Sequence, residues 1–115
     1  MSRPAATLER ICAVRGLRGA AIVSAADGLV IAESLMEGVD GRAIAALAAS
    51  LLSRLGRAVR AAGRQAPAFV QLAAEHGSVL AAPAGEDLLL VAVAGPDANV
   101  GLARLELLAA ARSFA

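Results

Sequence analysis

Few side chains in this sequence could do covalent or acid–base chemistry. His76 is the one histidine, and it stands beside Gly77 where a turn is expected. Nucleophilic catalysis needs a nucleophile, a base and a group that orients the base. Ser24, Ser34, Ser50, Ser53 and Ser78 could be nucleophiles, but a single imidazole would have to serve whichever one acted. One histidine and the lone Cys12 do not make a zinc site. A single cysteine also closes no intrachain disulfide. Glu86 and Asp87 are adjacent at an expected turn, so their carboxylates diverge into water instead of sharing a proton. Gly16 and Gly19 lead into a strand, whereas a phosphate cradle opens a helix. The chain has no lysine, so no Walker-type lysine exists. The segment Gly95–Gly101 does open a helix, but it reads as a capping turn. The sequence therefore predicts no enzyme, no cofactor and no metal.

What remains is surface. At about 100° per residue, a helix over Asp40–Ala62 presents three faces. Ile44, Leu47, Ala48, Leu51, Leu55, Val59 and Ala62 form one, wide enough to bury against a sheet. Ala45, Ala49, Leu52, Gly56 and Gly63 form a second, small enough for another helix to approach. Arg42, Ser50, Ser53, Arg54, Arg57, Arg60 and Arg64 form the third, with no acid among them. A solvated face usually mixes Glu with Arg, because opposite charges three or four residues apart support the helix. Like charges at that spacing cost a few tenths of a kcal/mol per pair. The ridge thus admits two readings, an ordinary solvated face or a contact surface for an acidic partner. The small-residue face likewise reads either as close helix contact or as a consequence of alanine abundance.

Composition narrows the classes. A length of 115 residues predicts one domain over residues 1–115. A hydrophobic fraction of 58% is high for so small a chain, and it points to a surface hidden in an oligomer. The net charge of +1 and the two aromatics, Phe69 and Phe114, argue against nucleic-acid binding, which needs a strong basic field or stacking platforms. No stretch approaches the ~20 apolar residues of a membrane span, so no membrane insertion is expected. No signal-peptide core lies between Arg3 and Arg10, and the expected compartment is the cytoplasm.

The elements that would carry this surface follow from punctuation. Pro4 suits a first helical turn and Gly16 a stop, so a helix is expected over residues 4–15. Strands are expected over 19–24 and 29–34, joined at Asp27-Gly28, a hairpin signal. Asp40 offers an N-cap to the long helix, and Gly63 ends it. Pro67 opens a strand over 68–74, placing it at a sheet edge. A fourth strand over 78–82 is closed by Pro83, and 87–94, apolar on both faces, reads as a central strand. Asp97 or Asn99 caps a last helix with a stripe of Val100, Ala103, Leu107, Leu108, Ala111 and Phe114. Short turns between strands imply antiparallel pairing, hence an α+β fold with helices on both faces of a five-stranded sheet.

The hairpin 21–32, the alanine-rich helix 44–52, the strand series ending at 88–93 and the segment 98–104 together resemble the roadblock-type domains. That family includes the roadblock dynein light chains and bacterial gliding-polarity regulators. The resemblance implies a five-stranded antiparallel sheet with the middle helix on one face and the two terminal helices on the other. It implies a homodimer in which residues 68–74, including Phe69 and Gln71, pair with the second copy. The middle helices then pack side by side through Ala45, Ala49, Leu52 and Gly56. It also implies a platform for a small Ras-like GTPase, with Ser50, Ser53, Arg54, Arg57 and Arg60 as the contact residues. Two other classes stand beside this reading. One is a scaffold or adaptor with no nucleotide-dependent partner, and the other is a small-molecule sensor.

Overall fold

The computed structural model describes residues 3–114, so positions 1, 2 and 115 of the expected domain lie outside the described residues. The element order is α1 (Arg3–Cys12), β1 (Leu17–Ser24), β2 (Val30–Leu35), α2 (Gly41–Ala61), β3 (Val70–Ala74), β4 (Gly77–Ala84), β5 (Leu88–Ala94) and α3 (Val100–Ser113). The strands form one antiparallel sheet in the order β2-β1-β5-β4-β3. β1 and β5 lie inside it and are covered on both faces, as the continuous apolar run of β5 predicts. β2 and β3 are its edges.

Caps and turns account for the boundaries. The Asp40 carboxylate accepts from the Ala43 N–H at 3.1 Å, and the Asn99 side chain accepts from the Leu102 N–H at 3.0 Å. Each satisfies a donor that the first helical turn leaves unpaired. Asn99, not Asp97, is therefore the cap of α3. Gly28 adopts φ +72° in the β1–β2 turn, where a side chain would be strained. The Leu29 N–H donates to the Asp27 carboxylate at 3.2 Å, and the bond from Ser24 together with this one holds that carboxyl below its ordinary range.

Strand boundaries differ from expectation by one or two residues, β3 beginning at Val70 and not 68, and β4 running to Ala84. Pro83 lies inside β4, opposite Leu89 of β5, and does not close the strand. β3 accompanies β4 only as far as Ala81, so beyond that point β4 has one open side where a missing N–H breaks no ladder.

Two apolar layers sandwich the sheet. α1 and α3 bury Leu8, Ile11, Ala103 and Leu107 against Ile22, Leu80 and Leu90. Arg3 ties the layer's ends together, bonding the Ser113 carbonyl and lying 5.3 Å from the Phe114 ring centre. On the other face, α2 packs over β1, β2 and β5. Its buried side is Ala45, Ala48, Ala49, Leu52 and Gly56, set against Ala21, Val23, Leu89 and Val91.

Leu90→Ala, at a fully buried position, is expected to cost about 2–5 kcal/mol in urea unfolding. Asn99→Ala is expected to cost about 1 kcal/mol. A Leu90→Ala protein as stable as the parent would show that the sheet centre is not the core.

Candidate interaction surface

The three faces of α2 are real, but their roles are rotated from the sequence expectation. Ala45 (1% exposed), Ala49 (7%) and Leu52 (9%) lie against the chain's own sheet, and Gly56 is buried under the Arg60 guanidinium. They cannot supply a contact to a second copy, which corrects the expected interface. Of the row expected to bury on the sheet, only Ala48 does so fully. Leu47 is exposed, while Ile44, Leu51, Leu55 and Val59 are half-buried on the flank of the helix. The reason is volume. The sheet already presents branched side chains on this face, Val23, Leu89 and Val91. A helix of alanine and glycine can settle onto that surface at native packing density, whereas a leucine row would stand off it. The turn at Gly28 adds a second demand for small residues, because it packs onto Ala46 and Ala49.

The displaced leucines face an uncovered part of the sheet. Leu47 shares a hollow of about 530 Å³ with Leu72 of β3, Val79 of β4 and Val93 of β5. Leu51 and Leu55 continue the row from Leu47 at four-residue spacing along the same flank. β3 borders this hollow, and its outer edge carries no strand. Sequence reasoning missed Leu47, Leu72 and Val79 as a shared surface. The available signal was the bulk of the strands, which leaves room for only a small-residue helix face.

Phe69 and Gln71 are placed differently from each other. Phe69, just before β3, packs towards the α1–α3 layer, with the Arg104 guanidinium 5.6 Å from its ring centre. It is therefore half-buried within its own chain. Gln71 is exposed on β3 and donates to the Ser78 hydroxyl at 3.4 Å.

The basic ridge is where the sequence put it. Ser50, Ser53, Arg54, Arg57 and Arg60 are all exposed on α2. Arg57 donates to the Ser53 hydroxyl at 2.9 Å, one helical turn back. The Arg60 guanidinium folds over Gly56, which leaves it room. The ridge is not isolated from acids in space, however. Arg54 and Arg57 line a hollow that also includes Asp27, and Arg60 lines another with Glu86 and Asp87. None of these acids reaches an arginine as an ion pair, and among the described residues the ion pair is Arg10–Glu106 at 3.8 Å. The ridge arginines thus share hollows with acids without pairing directly to them.

The other candidates stay apart. His76 is exposed in the β3–β4 turn, Cys12 is half-buried on α1, and no group of three or more metal-ligating side chains forms among the described residues. Burial pushes the Cys12 thiol up, which outweighs its bond to the Ser34 carbonyl at 3.7 Å. No helix among the described residues is long and apolar enough to cross a membrane.

Comparison with known proteins gives a consistent picture. The Roadblock/LC7 domain model matches residues 5–94. The uncharacterised protein MJ1340 of Methanocaldococcus jannaschii is 32% identical over 99 residues, which cover 86% of this chain and 85% of that one. Among solved structures, an MglB with a tetrameric arrangement is 23% identical at a TM-score of 0.85, covering 97% of this chain and 85% of that one. The gliding protein MglB of Thermus thermophilus is 22% identical with the same TM-score of 0.85 and the same coverage, 97% and 85%. These structural likenesses carry the fold, and the matched model carries the family. The chain belongs to the Roadblock/LC7 domain family, a class of regulatory, non-catalytic domains.

Proposed function

We propose that this domain is a non-enzymatic, homodimeric regulator of a small Ras-like GTPase. The observation that carries the reading is the presence of three unpartnered features on or next to α2. These are an open β3 edge, an uncovered apolar surface of Leu47, Leu72 and Val79, and an arginine ridge on the same helix. Two copies joined along β3 would extend the sheet, and each would lay its Leu47, Leu51 and Leu55 flank beside that of the other. Burying that flank would remove exposed leucine from water, at roughly 25 cal/mol per Å² of apolar area. The two ridges would then lie on one platform, with Arg54, Arg57 and Arg60 as donors and Ser50 and Ser53 between them. Guanidinium forks suit carboxylate-rich surfaces, and unpaired arginines favour a partner that supplies acids. The tetrameric arrangement of a similar MglB supports self-association as a habit of the fold.

Light scattering across a wide concentration range is expected to give twice the chain mass. Leu47→Glu combined with Leu72→Glu is expected to give a monomer with an unchanged helical circular dichroism spectrum. A parent protein that stays monomeric removes the platform, and with it this reading.

Arg54→Glu with Arg57→Glu is expected to weaken binding of a Ras-like GTPase at least tenfold, about 1.4 kcal/mol, with the dimer intact. Titrating the GTPase in its GDP and GTP forms separates a regulator, which prefers one state, from a scaffold, which does not. Unchanged affinity in the double variant would overturn the assignment of the ridge.

A further inference from the structure

The sheet has two open edges, and they differ in chemistry. The β3 edge, Val70–Ala74, carries no charged residue. The β2 edge carries exposed apolar side chains within an acidic surround. Leu29 (65% exposed), Ile31 (55%) and Met36 (62%) stand on β2 or directly beside it. Single exposed apolar residues are ordinary, but three large ones along one short strand edge are not. Natural edges are usually blunted with lysine, proline or a covering segment, and β2 has neither residue.

We propose that the outer edge of β2, with the groove it forms against α1, takes up an extended segment of a second protein in which apolar residues alternate with Arg or Lys. The groove has a volume of about 560 Å³ and is lined by Pro4, Leu8, Cys12, Ala32 and Ser34, with Glu9 on its rim. An open edge offers peptide N–H and C=O groups in strand register, which an added strand satisfies and a helix does not. Ile31 is the extra residue of a bulge between the Ile22–Ala32 and Val23–Val30 pairs. Ala32–Leu35 therefore forms the regular stretch for pairing, and Ile31 and Leu29 extend the apolar contact beyond it.

Charge selects the occupant. Residues 19–41 include Asp27, Glu33, Glu37 and Asp40 and no cation. The Glu33 carboxylate lies against the first turn of α2 at Gly41, where the helix dipole favours it, and the others are exposed. Two copies joined β2 to β2 would bring these carboxylates together in duplicate, so a second copy of this chain is disfavoured here. A basic strand meets complementary charge from Glu9, Glu33 and Glu37 beside the pairing stretch, with Arg18 and Arg42 just outside it. This proposal is independent of the GTPase reading, since it uses no residue of α2 beyond its first turn and none of β3.

The test uses the full chain and three labelled ten-residue peptides. The first alternates Val and Arg, the second alternates Val and Glu, and the third keeps the arginines of the first but has Pro in place of each Val. Anisotropy titration at low salt is expected to show binding of the first peptide only. Hydrogen exchange on the complex is expected to slow the amides of residues 31–36 and leave β3 unchanged. Glu9→Lys with Glu37→Lys, both at exposed positions, is expected to lower affinity at least tenfold. Arg54→Glu with Arg57→Glu is expected not to weaken it, which separates this surface from the ridge. Equal binding of the proline peptide would reduce the effect to charge attraction and overturn the proposal. So would protection on β3 or α2, or no binding of the first peptide.

Discussion

The arrangement depends on one volume match, between a mostly small helix face made of Ala45, Ala48, Ala49 and Leu52 and a sheet face whose bulk comes from Val23, Leu89 and Val91 beside Ala21 and Ala81. Close packing requires the side chains on the two sides together to fill the space between helix and sheet. Because the strands supply the bulk, the helix must present its small residues to them. Leu47 is then left exposed over the hollow beside β3, with Leu51 and Leu55 half-buried on the helix flank. The direction of the arginine ridge follows from the same choice, since the three faces are fixed relative to one another by the helical repeat.

A second consequence concerns where the sheet stops. α2 packs mainly over β1, β2 and β5, with Ala81 of β4 also buried in that layer, and Leu72 of β3 is left exposed beside it. On the other side of the sheet, α1 and α3 complete their layer and hold Phe69 against it. The molecule is therefore finished on one face and unfinished at one end of the other. An apolar surface that is unfinished next to an unpaired strand edge is unusual for a free-standing monomer.

Charge is sorted along the same axis. Arg54, Arg57, Arg60 and Arg64 cluster on the C-terminal half of α2 and just past it, with Asp27 beside them, while Glu33, Glu37 and Asp40 lie along β2 and the loop after it. A net charge of +1 conceals this separation. Fields of opposite sign on two surfaces steer different partners, and neither contributes much to folding, because exposed charges are screened within about 10 Å at 0.1 M salt.

The sequence by itself determined the element order, the antiparallel sheet, the cap at Asp40 and the turn at Gly28. Each of these rests on local chemistry, such as a carboxylate reaching the N–H of Ala43 or a glycine accepting φ +72°. It also determined that Ser53, Arg54 and Arg57 would face water, because arginines at helical spacing have no other stable place. The tertiary structure alone decided which apolar face of α2 met the sheet. Hydrophobic periodicity identifies the faces, but the choice between a leucine face and an alanine face depends on what the strands have already placed there. The nearness of Asp27, Glu86 and Asp87 to the ridge was decided in the same way. Those acids lie in turns far along the chain from the arginines, and only the packing of the β1–β2 and β4–β5 turns beneath α2 brings them close.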